Sequence, residues 1–356
     1  MFTYGPDLSA PGEPAEAAEI AAHAVGLEKQ SIFLQGLSER LNALGFACAP
    51  DDTGLMLEEI RRRYKTILGI NCPRTVVEWV RGTIPGISNR RNNYELCFAL
   101  EMDFEQTADF FRRYFLTLPW GCKSRTDAVF LYCIYHRKPY SEAARMLDGS
   151  QSFVPQENAH TATAQIFQTI ISTDDDAAFL EYLSAHCYGN EQQFMTARAK
   201  IIEETERVKE RLRKDISKEI VSKNRLNSNV IAELLSYKYQ EDTEGRFVFD
   251  LPGRYTSSLP NDVTLGKILN GSTASYETLR KTLMLLHFSN FYSEASNMDA
   301  EEIESNFLDF YEELDEQLEL CGFSPIYLGH PFDYILLSCA NTLDPIVTFY
   351  EINDRN

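Results

Sequence analysis

With 356 residues, 44% of them hydrophobic and 12% aromatic, the chain is long enough to build a core in each of two or three domains, which excludes a disordered protein. Its formal charge of -19 keeps it soluble and, taken over the whole surface, repels nucleic acid and anionic lipid, so either partner would need a local basic patch. The eight cysteines (48, 72, 97, 122, 133, 187, 321 and 339) form no C-x-x-C pair and have no histidine at metal-ligand spacing, the pattern of reduced structural thiols.

Residues 1–30 read as a flexible arm, with Pro6, Pro11, Gly12 and Pro14 ahead of a short helix over Ala15 to Ala24. No basic residue precedes Lys29, so the arm lacks the charged start of a signal peptide, and no apolar run approaches a membrane span. The expected location is a cytoplasm, with no membrane partner. From Ser31 the apolar residues Phe33, Leu34, Leu37, Leu41 and Leu44 take helical spacing until Gly45 and the Pro50, Asp51, Asp52 cluster. Residues 31–150 read as one helical domain, with further helices over Asp103 to Phe115, Arg125 to His136 and Ser141 to Leu147. A polar linker with Pro155 follows, then a helical middle region, 158–238, holding a charged helix from Gln192 to Lys223. In the C-terminal domain, 240–356, Arg246-Phe247-Val248-Phe249, Pro252-Gly253 and Arg254-Tyr255 predict a small β-hairpin, and helices resume at Asp262. The fold class expected is mainly α, multi-helix, with that one hairpin.

Charge is unevenly spread. Between Glu58 and Arg91 stand eight basic residues (Arg61, Arg62, Arg63, Lys65, Arg74, Arg81, Arg90, Arg91) against three acidic (Glu58, Glu59, Glu78), a net of +5. Such a segment suits contact with nucleic-acid phosphate, where Lys and Arg displace counterions; a solvated helix face is the alternative. Leu68-Gly69-Ile70 ends one helix in a tight turn, Pro73 opens the next, and Thr75 to Gly82 makes two turns closed by glycine. Val76 and Trp79, three apart, share a buried face, while Arg74, Val77, Glu78 and Arg81 are expected to point outward.

At these residues the sequence resembles the phage-repressor (XRE-type) helix-turn-helix family, over about 50 of the 356 residues. Asn89 to Leu100 resembles the family's fourth helix and Met102 to Phe111 its fifth. The resemblance implies a DNA-reading domain in which Arg74, Thr75, Val77 and Glu78 face the major groove. Lys65 stands where the family has a small residue, and the turn from Ile70 to Trp79 is one residue longer. Thr264 to Gly271 repeats the cadence of Thr75 to Gly82, and Ser275 to Leu286 that of Ser88 to Leu100. A second such unit would use the hairpin as a wing, with Arg246, Arg254, Lys267, Arg280 and Lys281 on the DNA backbone; an ordinary helical pair is the alternative.

No phosphate-binding, dinucleotide, zinc-protease or nucleophile-elbow motif occurs. Asp174-Asp175-Asp176 precedes a helix and reads as its cap, and His186-Cys187 as a structural pair. The run from Glu294 to Glu319, with eleven acidic residues and no Lys or Arg, reads as a solvated helix face. No catalysis, cofactor or metal is expected. The function expected is that of a DNA-binding regulatory protein of the bacterial or mobile-element kind, its other helices serving a homodimer or a protein partner. The alternative is a helical interaction or adaptor protein with a vestigial helix-turn-helix.

Overall fold

The computed structural model describes residues 17–30, 33–83, 89–122, 124–148, 163–186, 190–215 and 253–353, less 257 and 273, together with 85, 228, 231, 232 and 235. Two compact modules share the chain: Gln30–Gln193 with Gly322–Pro325, and Met1–Lys29 with Phe194–Cys321 and Ile326–Asn356. These boundaries differ from the expected ones, since the N-terminal segment joins the C-terminal half and the middle region is divided between the two. The arm is a helix from Ala17 to Gln30 (α1), because Ile20, Ala21 and Ala24 give it a buried face.

The first module holds helices Phe33–Ala43 (α2), Thr53–Arg63 (α3), Arg74–Val80 (α4), Arg90–Ala99 (α5), Phe104–Phe110 (α6), Arg125–Tyr135 (α7), Tyr140–Asp148 (α8), Thr163–Ser172 (α9) and Asp176–His186 (α10). Both α3 and α6 run on through a π-helical turn, Tyr64–Leu68 and Phe111–Phe115. Local chemistry sets several starts. Asp103 and Gln106 form a reciprocal capping box on α6, and Ser124 caps α7. Asp175 accepts from the Ala178 N–H at 2.8 Å, as expected of a cap on α10. Helix α8 begins one residue ahead of the expected Ser141. The core is aromatic, with the buried Tyr94 ring 4.6 Å from Phe111 and 4.9 Å from Phe130, and Trp79 edge-on to Phe33 at 6.2 Å. At Gly36 the Tyr114 ring lies so close that any β-carbon would run into it.

The second module contains α1, Asn190–Asp215 (α11), Gly253–Thr256 (α12), Asp262–Leu269 (α13), Tyr276–Phe291 (α14), Ala300–Leu320 (α15), Pro331–Ala340 (α16) and Pro345–Asn353 (α17). Helix α14 is its axis, buried continuously from Glu277 to Ser289. On α15 the apolar stripe Ile303, Phe307, Phe310, Leu314 and Leu318 faces inward, and the acidic residues are largely outside.

The expected β-hairpin does not form. Residues 244–252 lie outside the described residues, but its second arm is the helical turn α12, and no strand occurs among the described residues. Two bonds fix α12. Lys281 Nζ donates to the Tyr255 carbonyl at 3.0 Å, taking an acceptor that a sheet would use, and the buried Tyr255 hydroxyl donates to Asn353 Oδ1.

The repeated cadence extends to the structure. Gly82 and Gly271 close α4 and α13 with φ of +104° and +78°, a region where glycine alone is unstrained. Gly82 donates to the Trp79 carbonyl at 3.0 Å and Gly271 to Ile268 at 3.1 Å; Thr83 donates to Glu78 at 2.9 Å and Ser272 to Lys267 at 2.8 Å. In each module a buried arginine on the next helix pairs with an aspartate at the third position of a later one. Arg90 reaches the Asp127 carboxylate at 2.7 and 2.6 Å, and Arg280 reaches Asp333 at 2.7 Å through both nitrogens. Six residues ahead of each aspartate, the N–H of Gly121 and of Tyr327 donates to it, at 3.0 and 2.9 Å.

Removing one partner of such a pair strands a buried charge. Asp333→Ala is expected to lower stability by about 3–5 kcal/mol, while the apolar double variant Arg280→Met, Asp333→Leu recovers most of it, both read by urea denaturation. A second expectation concerns pH. His287 is buried on Phe310, and burial, with Arg207 and Lys200 nearby, lowers its pKa to about 4. The unfolded chain therefore takes up this proton first on acidification: the contribution is full above the ordinary histidine value and is lost as pH falls toward 4. Between neutral pH and pH 4.5, His287→Leu should lose about 2–3 kcal/mol less stability than the natural chain in urea titrations.

Candidate nucleic-acid interface

The helix-turn-helix cadence folds as a helix, a turn and a helix. Helix α3 and its π turn end at Gly69, whose φ is +71°; Pro73 stands at the N-terminal boundary of α4, and Val76, Trp79 and Val80 bury its inner face. Arg40 of α2 locks the arrangement from below, donating to the Leu100 carbonyl at 2.9 Å and the Glu101 carbonyl at 2.6 Å.

The expected site residues separate into two groups. Arg61, Arg62 and Lys65 are exposed along the end of α3 and its π turn, Arg74 is exposed at the start of α4 and Arg81 just past its end, with Thr75 half-buried beside them. Between the two α4 arginines lies Glu78, 3.9 Å from Arg74 Nε and 3.3 Å from Arg81 Nη1, with side-chain exposures of 93% for Arg74, 39% for Glu78 and 57% for Arg81. These three side chains form one local network on the outer face of α4. Arg62 is also held, donating twice at 2.6 Å to Glu59, and those bonds keep the Glu59 carboxyl below its ordinary pKa despite its burial.

The remaining residues, apart from the exposed Arg91, belong to the interior. Val77, expected outward, is only 7% exposed and is buried along with Val76, Trp79 and Val80 of the same helix. Arg63 is buried, with Nε 2.8 Å from Glu59 and Nη1 2.8 Å from Glu101. Arg90 is buried on Asp127. Arg91 is half exposed and pairs at 2.9 Å with the buried Glu95, which also accepts from Tyr140 at 2.7 Å. A helix as short as α4 has to bury more than one residue in each turn, which is why Val77 goes inward.

In the second module the counterpart of this face carries little positive charge. Lys267 is exposed, but Arg280 and Lys281 are fully buried, so they are not backbone contacts as expected. Lys281 lies 5.0 Å over the Phe332 ring, and burial lowers its pKa despite Glu277 at 3.5 Å. Arg246 and the side chain of Arg254 lie outside the described residues. Where α4 has Arg74, Glu78 and Arg81, α13 has Val263, Lys267 and Asn270. The residues that sequence reasoning missed are Asp127 and Asp333, whose shared offset, three after a helix cap, was the available signal.

Among the described residues, no three His, Cys, Asp or Glu side chains gather where they could hold a metal ion, and no helix is long and apolar enough to cross a membrane. No protein-family model matches the chain, and no curated protein or solved structure is similar to it.

The sorting of the arginines is open to a direct check. Arg63→Ala is expected to cost about 1–3 kcal/mol, since Glu59 loses a buried partner, whereas Arg61→Ala should stay within about 0.5 kcal/mol, as read by thermal unfolding.

Proposed function

We propose that the chain is a DNA-binding regulatory protein, without catalytic activity of its own, that works in a cytoplasm and engages duplex DNA through the first module. The observation that carries this reading is the set of five exposed cations, Arg61, Arg62, Lys65, Arg74 and Arg81, on the two helices that flank the Gly69 turn of an otherwise acidic chain. Neutralising phosphates releases condensed counterions, a gain that the net charge of the whole molecule does not cancel at contact distance. With Val77 inside, contact is dominated by the phosphate backbone, and base readout falls to Arg74, Thr75 and Glu78. The other helices serve self-association or a protein partner.

A second reading, a helical adaptor whose helix-turn-helix only packs, is favoured by one observation: Glu78 lies within 4 Å of both Arg74 and Arg81 and offsets part of their charge. Gel mobility of mixed-sequence duplex DNA across a salt series separates the two. The DNA reading expects a complex at about 50 mM salt that weakens toward about 200 mM with a log–log slope near -3 to -4, as about four phosphate contacts require. Replacing Arg61, Arg62, Arg74 and Arg81 together by Ala should abolish it while leaving the fold intact. A chain that forms no salt-sensitive complex is the adaptor.

A further inference from the structure

We infer that Glu78 is a built-in counterion of this face, one that restrains Arg74 and Arg81 from contact with phosphate and holds down affinity for duplex DNA; the inference rests on the DNA-binding reading. Three features of the first module support it. The carboxylate lies between the two guanidinium groups, within 4 Å of each, on the outward side of α4. It is not needed by the fold. Its hydrogen bond goes to Arg81, and exposed pairs of this i, i+3 and i, i+4 kind contribute little to stability. It also differs from the other acidic side chains of the segment: Glu59 is buried under Arg62 and Arg63, and Glu58 has no basic side chain within salt-bridge distance among the described residues. Glu78 is thus an acidic group on the outer face of α4.

The electrostatics give this placement a consequence. When the helix approaches a phosphate strand, Arg81 gives up its hydrogen bond to the carboxylate to reach a phosphate oxygen, Arg74 loses a weaker attraction across 3.9 Å, and the carboxylate is then left facing the same negative strand. Both steps penalise contact with any duplex alike, so affinity for arbitrary sequence is held down. A penalty of this kind lowers affinity for every duplex equally and leaves the difference between sequences unchanged. The counterpart position in the second module is Lys267, flanked by Val263 and Asn270, so the restraint belongs to the module that carries the surface cations.

The test compares the natural chain with Glu78→Gln, nearly the same shape without the charge, and with Glu58→Gln, which removes one exposed carboxylate from the same segment away from the arginine pair. The probe is short mixed-sequence duplex DNA in a salt series. Glu78→Gln is expected to bind about tenfold more tightly, with a log–log slope steeper by about one to two as the released arginines take phosphates, while Glu58→Gln changes affinity by less than about twofold. If the natural chain binds and Glu78→Gln matches it in affinity and slope, or if Glu58→Gln produces an equal gain, the role assigned to Glu78 is wrong and the DNA-binding reading survives. If neither the natural chain nor Glu78→Gln forms a salt-sensitive complex, both fall together.

Discussion

A guanidinium buried against a carboxylate at the start of a later helix organises each module. Arg90 on α5 and Arg280 on α14 leave the surface of their helices and enter the core, which apolar packing alone would not allow. Taking two charges out of water costs several kcal/mol per ion unless the geometry is good and the remaining acceptors are satisfied. Here both conditions hold, since the pairs are two-pronged and a backbone N–H, from Gly121 or Tyr327, fills a further acceptor site on each aspartate. Because the partners are 37 residues apart in one module and 53 in the other, the pair fixes α5 against α7 in the first module and α14 against α16 in the second. The same device in both modules, with matching glycine closures on α4 and α13, gives the chain a duplicated core plan.

The plan also determines which basic residues remain for a partner. A stretch with a net charge of +5 looks uniform in the sequence, yet its arginines have separate duties in the fold. Arg63 ties α3 to the end of α5, Arg90 clamps α7, and Arg91 covers the buried Glu95. What remains outside, Arg61, Arg62, Lys65, Arg74 and Arg81, is smaller but better placed, since it lies on the two helices around one turn. In the second module the corresponding arginine and lysine are both consumed by the core, so a similar backbone presents a different surface.

Legibility in the sequence followed the range of the physics involved. The short-range signals were readable: the Gly69 turn, the proline ahead of α4, the buried Val76 and Trp79, the aspartate cap of α10 and the stripe of α15. Signals that depend on distant partners were not. Arg90 resembles any surface arginine until Asp127 is beside it, and Val77 looks outward-facing until the packing of a seven-residue helix is known. The alternation around Phe247 to Tyr255 has the period of a strand, but the Tyr255 carbonyl is claimed by Lys281, 26 residues away, and the segment over Gly253–Thr256 turns helical. The repeat was visible as a cadence, and the buried pair that gives it a physical basis was not.

In the proposed function labour is divided between the two modules: the first would meet duplex DNA through the Gly69 turn and its flanking helices, and the second would not. Amide hydrogen exchange of the whole chain, with and without mixed-sequence duplex DNA at low salt, tests that division most directly. Protection confined to segments between Glu58 and Thr83, with none over Asp262 to Ser275, is the predicted result; unchanged exchange over Glu58 to Thr83, or protection centred on Asp262 to Ser275, would contradict it.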